Sequence, residues 1–103
     1  MVTDMRKARS ETFRYRPRYN IPRGWQMYIY SFGGVYFDIP EVRSLINTVI
    51  ASVAPDYYNA LLRIVVNGDS AQKVACDHHI SRRTMYYCER RYYQEMYRQL
   101  RRM

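Results

Sequence analysis

The sequence predicts a mainly α protein: a small helical bundle that closes in two helices joined by a tight turn, preceded by a short β-hairpin and a basic N-terminal arm. Three observations carry that prediction. Apolar residues recur three and four apart over 38–67, the period of a helix with one buried face. Short oxygen-bearing residues stand just ahead of two further helical runs in 69–102. Residues 1–24 instead mix arginine and proline with no apolar period. At 103 residues the chain suffices for one domain with a modest core, placed at 25–103.

The arm comes first. Arg6, Lys7, Arg9, Arg14, Arg16, Arg18 and Arg23 are interspersed with Pro17 and Pro22. Such a segment does not bury enough surface to order itself, so 1–24 is expected to be flexible. It follows phosphates or enters a minor groove, or else is a solvated tail. Residues 25–37 form the aromatic stretch. Tyr28, Tyr30 and Phe32 alternate with Met27, Ile29 and Ser31, and Val35–Phe37 follows the Gly33-Gly34 pair. Two β-prone runs around Gly-Gly predict a hairpin, which must pack on the helices or on a partner because an isolated one is marginal in water.

Residues 38–67 read as scaffold. Asp38 and Glu41 have the spacing of a capping box, with aspartate in place of the usual serine or threonine. Val42, Leu45, Ile46, Val49, Ile50 and Val53 then make one apolar face. Ala54-Pro55 ends this helix and opens another that runs to Asn67, with Tyr57, Leu61, Ile64 and Val65 inward and Gly68 as its stop.

In 69–102, Asp69 or Ser70 caps a first helix and Ser81 a second. The second carries Met85, Cys88, Tyr92, Met96 and Leu100 as one apolar stripe. The spacing Ala75, Ile80, Met85 is what a helix-turn-helix needs: a small residue at the crossing, a plug at the corner, an apolar seat beyond it. Through Val74, Ala75, Ile80, Ser81, Thr84, Met85 and Cys88 the segment resembles the helix-turn-helix of the fourth region of sigma factors. It is also similar to small phage late-gene activators of the RinA and ArpU type. His79 stands where such motifs place a glycine of positive φ, a conformation that histidine tolerates better than most residues. The resemblance implies a phage or mobile-element transcription regulator that reads double-stranded DNA.

Charge points the same way. The formal net charge is +8. It sits at two poles: residues 1–24 carry seven basic and two acidic side chains, 79–103 again seven and two, and 25–78 three and five. A basic surface of this kind suits a polyanion. All but Lys7 and Lys73 of the 17 cations are arginines, which fork onto phosphates and guanine edges. Twelve tyrosines add contact area with a polar tip. If the last helix enters a major groove, its first turns meet the bases. Arg82 or Arg83 is then placed to read guanine, a contact worth about 1–3 kcal/mol of discrimination. Tyr86 or Tyr87 would touch a thymine methyl or donate to a phosphate, while Ser81 and Thr84 hold the helix start on the DNA backbone. Arg90, Arg91 and Arg98 would anchor phosphates or stay solvated. RNA polymerase and a second copy of this chain are further candidate partners.

Other classes fit less well. Cys76, His78, His79 and Cys88 offer four metal ligands without a Cys-x2-Cys pair, so neither metal nor cofactor is expected. No paired carboxylates, serine-histidine-aspartate set or glycine-rich phosphate loop marks an enzyme. The charged N-terminus, two thiols and lack of a long apolar run predict a cytoplasmic protein with no membrane contact. Two alternatives stand. One is a small effector that docks on a host machine such as RNA polymerase or a nuclease through its aromatic and basic surfaces. The other is a small terminase subunit.

Overall fold

The computed structural model describes residues 13–102, and these are predominantly helical, with no strand among them. The helices are α1 (Arg23–Gly34), α2 (Pro40–Val53), α3 (Tyr58–Leu62), α4 (Ala71–Asp77) and α5 (Arg82–Arg101). Tight 3-10 turns stand at Pro17–Tyr19 and Pro55–Tyr57, and α3 widens into a π turn at Arg63–Asn67. The mainly α class and the small bundle therefore hold.

α5 is the post on which the rest packs, touching α1, α2, α3 and α4. Its stripe Met85, Cys88, Tyr92, Met96 and Leu100 is buried along the whole helix, as the spacing predicts, and Tyr93 joins it. Each fully buried apolar side chain of this size contributes roughly 1.5–3 kcal/mol relative to exposure. α2 brings Ile46, Val49 and Ile50 to the same core. It starts at Pro40, whose missing N–H is harmless at a first helical position. The expected Asp38–Glu41 capping box does not form. Ile39 is the N-cap and has no side-chain oxygen to offer, and Glu41 sits one position after the proline. At Ala54-Pro55 the chain turns by 114° into the next helical segment. There Leu61, Ile64, Val65 and Val66 complete the core. Gly68 stops that segment at φ 80°, a left-handed position where glycine has no Cβ penalty.

Two larger expectations are corrected as well. Where a hairpin is expected over 25–37, residues 25–34 belong to helix α1 and 35–37 to the turn after it. Trp25, Tyr28, Phe32 and Tyr36 stand 3, 4 and 4 residues apart, and their rings meet edge-to-face at 5.7, 4.8 and 5.9 Å. A helical ladder of rings overrides the local alternation. Gln26, Ile29 and Gly33 form the buried side of the same helix. Among the described residues only Gly68 is a glycine with positive φ, so Gly33-Gly34 does not make the primed turn a hairpin demands.

The flexible arm is the second. Residues 1–12 lie outside the described residues, but 13–24 fold onto the bundle. Tyr19 and Ile21 are buried, and the Tyr19 ring lies 5.1 Å from that of Tyr93 on α5. Gln26, fully buried, ties the segment down. Its amide nitrogen donates to the carbonyls of Arg16 and Ile21, both at 2.9 Å, and its oxygen accepts from the Arg16 N–H at 2.9 Å. Asn20 makes the return at φ 61°, and the Gln94 amide donates to the Tyr19 carbonyl at 3.3 Å. A few apolar anchors and one amide thus order a stretch too polar to order itself. No helix among the described residues is long and apolar enough to cross a membrane.

Candidate nucleic-acid interface

α4, the turn 78–81 and α5 form one continuous unit. Ser70 caps α4 by accepting from the Lys73 N–H at 3.1 Å, and Ser81 caps α5 by accepting from the Thr84 N–H at 3.1 Å. Each satisfies one backbone donor that a helix start leaves without an internal partner. α4 ends in two reverse bonds: the Ile80 N–H donates to the Ala75 carbonyl at 2.9 Å, and the His79 N–H to Cys76 at 3.3 Å. This pair of bonds requires a left-handed residue between helix and exit, and His79 supplies it at φ 56°. Ile80 then turns inward to pack beside the core cluster that includes Ala75, Val74 and Met85.

An ion-pair cluster braces the unit from behind. The Arg63 guanidinium donates from Nε to Asp69 at 3.0 Å and reaches Asp77 from Nη1 at 3.1 Å, while Lys73 meets Asp77 at 3.4 Å. The Arg63 hydrogen bond, with Lys73 assisting, holds the Asp77 carboxyl below its usual range.

With its apolar stripe turned inward, α5 presents the opposite side to solvent. Arg82, Arg83, Tyr86, Tyr87, Arg90 and Arg91 are all exposed, Tyr86 by 42% and Tyr87 by 55%. The Arg91 guanidinium lies 5.8 Å from the Tyr87 ring centre. Arg83, Tyr86, Tyr87 and Arg90, at steps of 3, 1 and 3, line a single trough of about 630 Å³. Its other wall is the turn 15–19, which brings Tyr15, Arg16 and Arg18.

Not every expected site residue joins them. Ser81 and Thr84 are engaged with one another: the Ser81 hydroxyl donates to the Thr84 hydroxyl at 2.8 Å while accepting its N–H. The Ser81 oxygen thereby caps the start of the helix. Arg98 is paired with Glu95, at 3.1 Å from Nε, which holds the Glu95 carboxyl below its usual range. It also lies about 22 Å along the axis from Arg83, at 1.5 Å per residue. Arg98 is therefore no part of this face. Cys88 is buried in the core, where desolvation pushes its thiol up, whereas Cys76 is exposed. No group of three His, Cys, Asp or Glu side chains among the described residues is placed to hold a metal.

Arg16 and Arg18 are expected from the sequence only as part of the arm, and Tyr15 is not among the expected site residues. Pro17, which fixes the φ of a tight turn, followed by Asn20, which tolerates the left-handed region, is the signal that could have found this second wall.

The fold and this face define a small helical protein with one basic, tyrosine-rich surface. Set against family models, curated proteins and solved structures, the chain matches none of them.

Proposed function

We propose that the chain is a sequence-specific double-stranded DNA-binding protein, a transcription regulator of phage or mobile-element type, with α4, the turn and α5 acting as a helix-turn-helix. One observation carries the reading. The first half of α5 exposes six arginine and tyrosine side chains while its other side is locked in the core. A rigid helix with that division suits the major groove, which admits a helix and displays a distinct pattern of acceptors and donors for each base pair. Arg82 and Arg83 are the candidate guanine readers and Tyr86 and Tyr87 the candidates for thymine methyls. Arg90 and Arg91 are candidates for phosphates.

Selection of bound fragments from a random duplex library, followed by titration of the recovered site, tests this. Arg83→Ala is expected to relax one base position and cost about 1–3 kcal/mol on the selected site. Selection that returns no sequence preference would reject the reading.

A second reading has its own observation. Met27, Tyr28, Val35, Tyr36 and Ile39, on α1 and the turn after it, are exposed apolar side chains on a part of the fold away from the α5 trough. Apolar exposure of that kind suits a protein partner, such as RNA polymerase or a nuclease. A complex with polymerase that survives without DNA would favour it.

A further inference from the structure

The turn 15–19 stands beside the very side of α5 that carries Arg83, Tyr87 and Arg90, leaving the trough between them. A helix that lies in a major groove is flanked on both sides by sugar-phosphate backbones. Whatever stands next to such a helix either collides with one backbone or provides a concavity that receives it. Here there is a concavity. Its volume of about 630 Å³ falls in the range of cavities that enclose a small ligand, so a length of sugar and phosphate has room in it.

We infer that this trough seats one sugar-phosphate strand of the DNA duplex, with Arg16 and Arg18 gripping it from the turn and Arg90 from α5. The inference rests on the duplex reading above and adds a contact surface that the helix-turn-helix alone does not contain.

Two further observations support it. The first is charge. Arg63 and Arg98 are neutralised by carboxylates, but no ion pair with a described residue engages Arg16, Arg18, Arg83 or Arg90. Arg16, Arg18 and Arg90 put positive charge on both walls of one trough, and a polyanion laid between them is attracted from either side. The second is rigidity. Both hydrogen-bonding groups of the Arg16 backbone are held by the buried Gln26 amide, and the Tyr19 carbonyl by Gln94. The Tyr19 ring is packed on Tyr93, and burial, with Glu89 adding to it, pushes its phenol far above the usual range. The backbone that carries Arg16 and Arg18 is therefore ordered before anything binds, so less conformational entropy is lost on contact.

Phosphate contacts leave a quantitative signature. Each arginine that releases a counterion adds about 0.9 to the slope of log affinity against log salt on duplex DNA. The test titrates the full chain with a short random-sequence duplex, and with one strand of that duplex, from about 50 to about 200 mM salt. Arg18→Ala alters only an exposed side chain, and Arg16→Ala/Arg18→Ala removes the pair without touching the Gln26 bonds, which are to backbone atoms. The expected result is a duplex slope shallower by about 0.9 for the single variant and about 1.8 for the double, with melting temperatures unchanged. If Arg18→Ala and the double variant keep the wild-type slope while Arg83→Ala still weakens selected duplex, the trough is empty in the complex. The inference then falls and the duplex reading survives. If the single strand binds more tightly than the duplex and the slope change appears only on it, the duplex assignment is overturned for both.

Discussion

Histidine at φ 56° is the residue on which the turn between α4 and α5 depends. For a residue with a Cβ the left-handed region costs roughly 1–2 kcal/mol, because Cβ crowds the next carbonyl, and histidine is among the residues that bear it best. The fold accepts that cost at His79 to close two reverse hydrogen bonds and bring Ile80 inward. His79→Gly relieves the strain and loses part of the gain to a freer unfolded chain. A net stabilisation of about 0.5–1 kcal/mol is expected, read as a thermal midpoint raised by a few degrees. A lowered midpoint would mean that the imidazole makes a contact worth more than the strain. This position is legible in the sequence, as are the caps Ser70 and Ser81, because each acts within four residues of itself. Gln26 is not legible. Its three hydrogen bonds reach backbone groups five and ten residues away, and no local pattern distinguishes it from any other glutamine in a polar-aromatic stretch.

At the scale of elements, long single-sided periods proved readable and short ambiguous ones did not. The stripes of α2 and α5 repeat through three turns or more; α5 buries all five of its predicted side chains, and α2 buries Ile46, Val49 and Ile50 with Val42, Leu45 and Val53 packed against the core. Over 25–37 the same residues satisfy two periods at once: rings alternate locally, and also recur at 25, 28, 32 and 36. Tertiary packing decides such a contest, since α1 sets Trp25 against Tyr97 of α5, 5.3 Å between ring centres. The π turn also escapes sequence reading, for nothing in Arg63–Asn67 departs from an ordinary apolar helical run. Its first residue, Arg63, nevertheless braces α4 through Asp77. Because the folded state lowers the pKa of Asp77, the stabilisation is fully present above the unfolded carboxyl value, near pH 4. It is lost as pH falls through the lower folded value. Thermal midpoints of wild type and Asp77→Asn should differ at neutral pH and converge as the solution is acidified below about pH 4. A gap that persists in strong acid would assign the contribution of Asp77 to something other than its charge.

For the molecule as a whole, the two basic poles of the sequence are brought together. Arg16 and Arg18 from one end and Arg83 and Arg90 from the other line a single trough. The charge bias was visible in the composition, but the juxtaposition was not, because it depends on Tyr19 and Ile21 finding the bundle. Tyr19 is the rivet. Tyr19→Ala is expected to destabilise the fold by about 3–5 kcal/mol, as for other large aromatic truncations in a core. Chemical denaturation of the full chain measures it, and a loss below about 1 kcal/mol would show the segment to be loosely attached.

The exposed arginine and tyrosine face of α5 is the centre of the account, and backbone amide shifts on titration with the selected duplex interrogate it residue by residue. The expected shifts concentrate at 81–91, with a second set at 15–19 from the facing turn. Shifts confined to the aromatic surface of α1 and its following turn, with 81–91 unmoved, would contradict it.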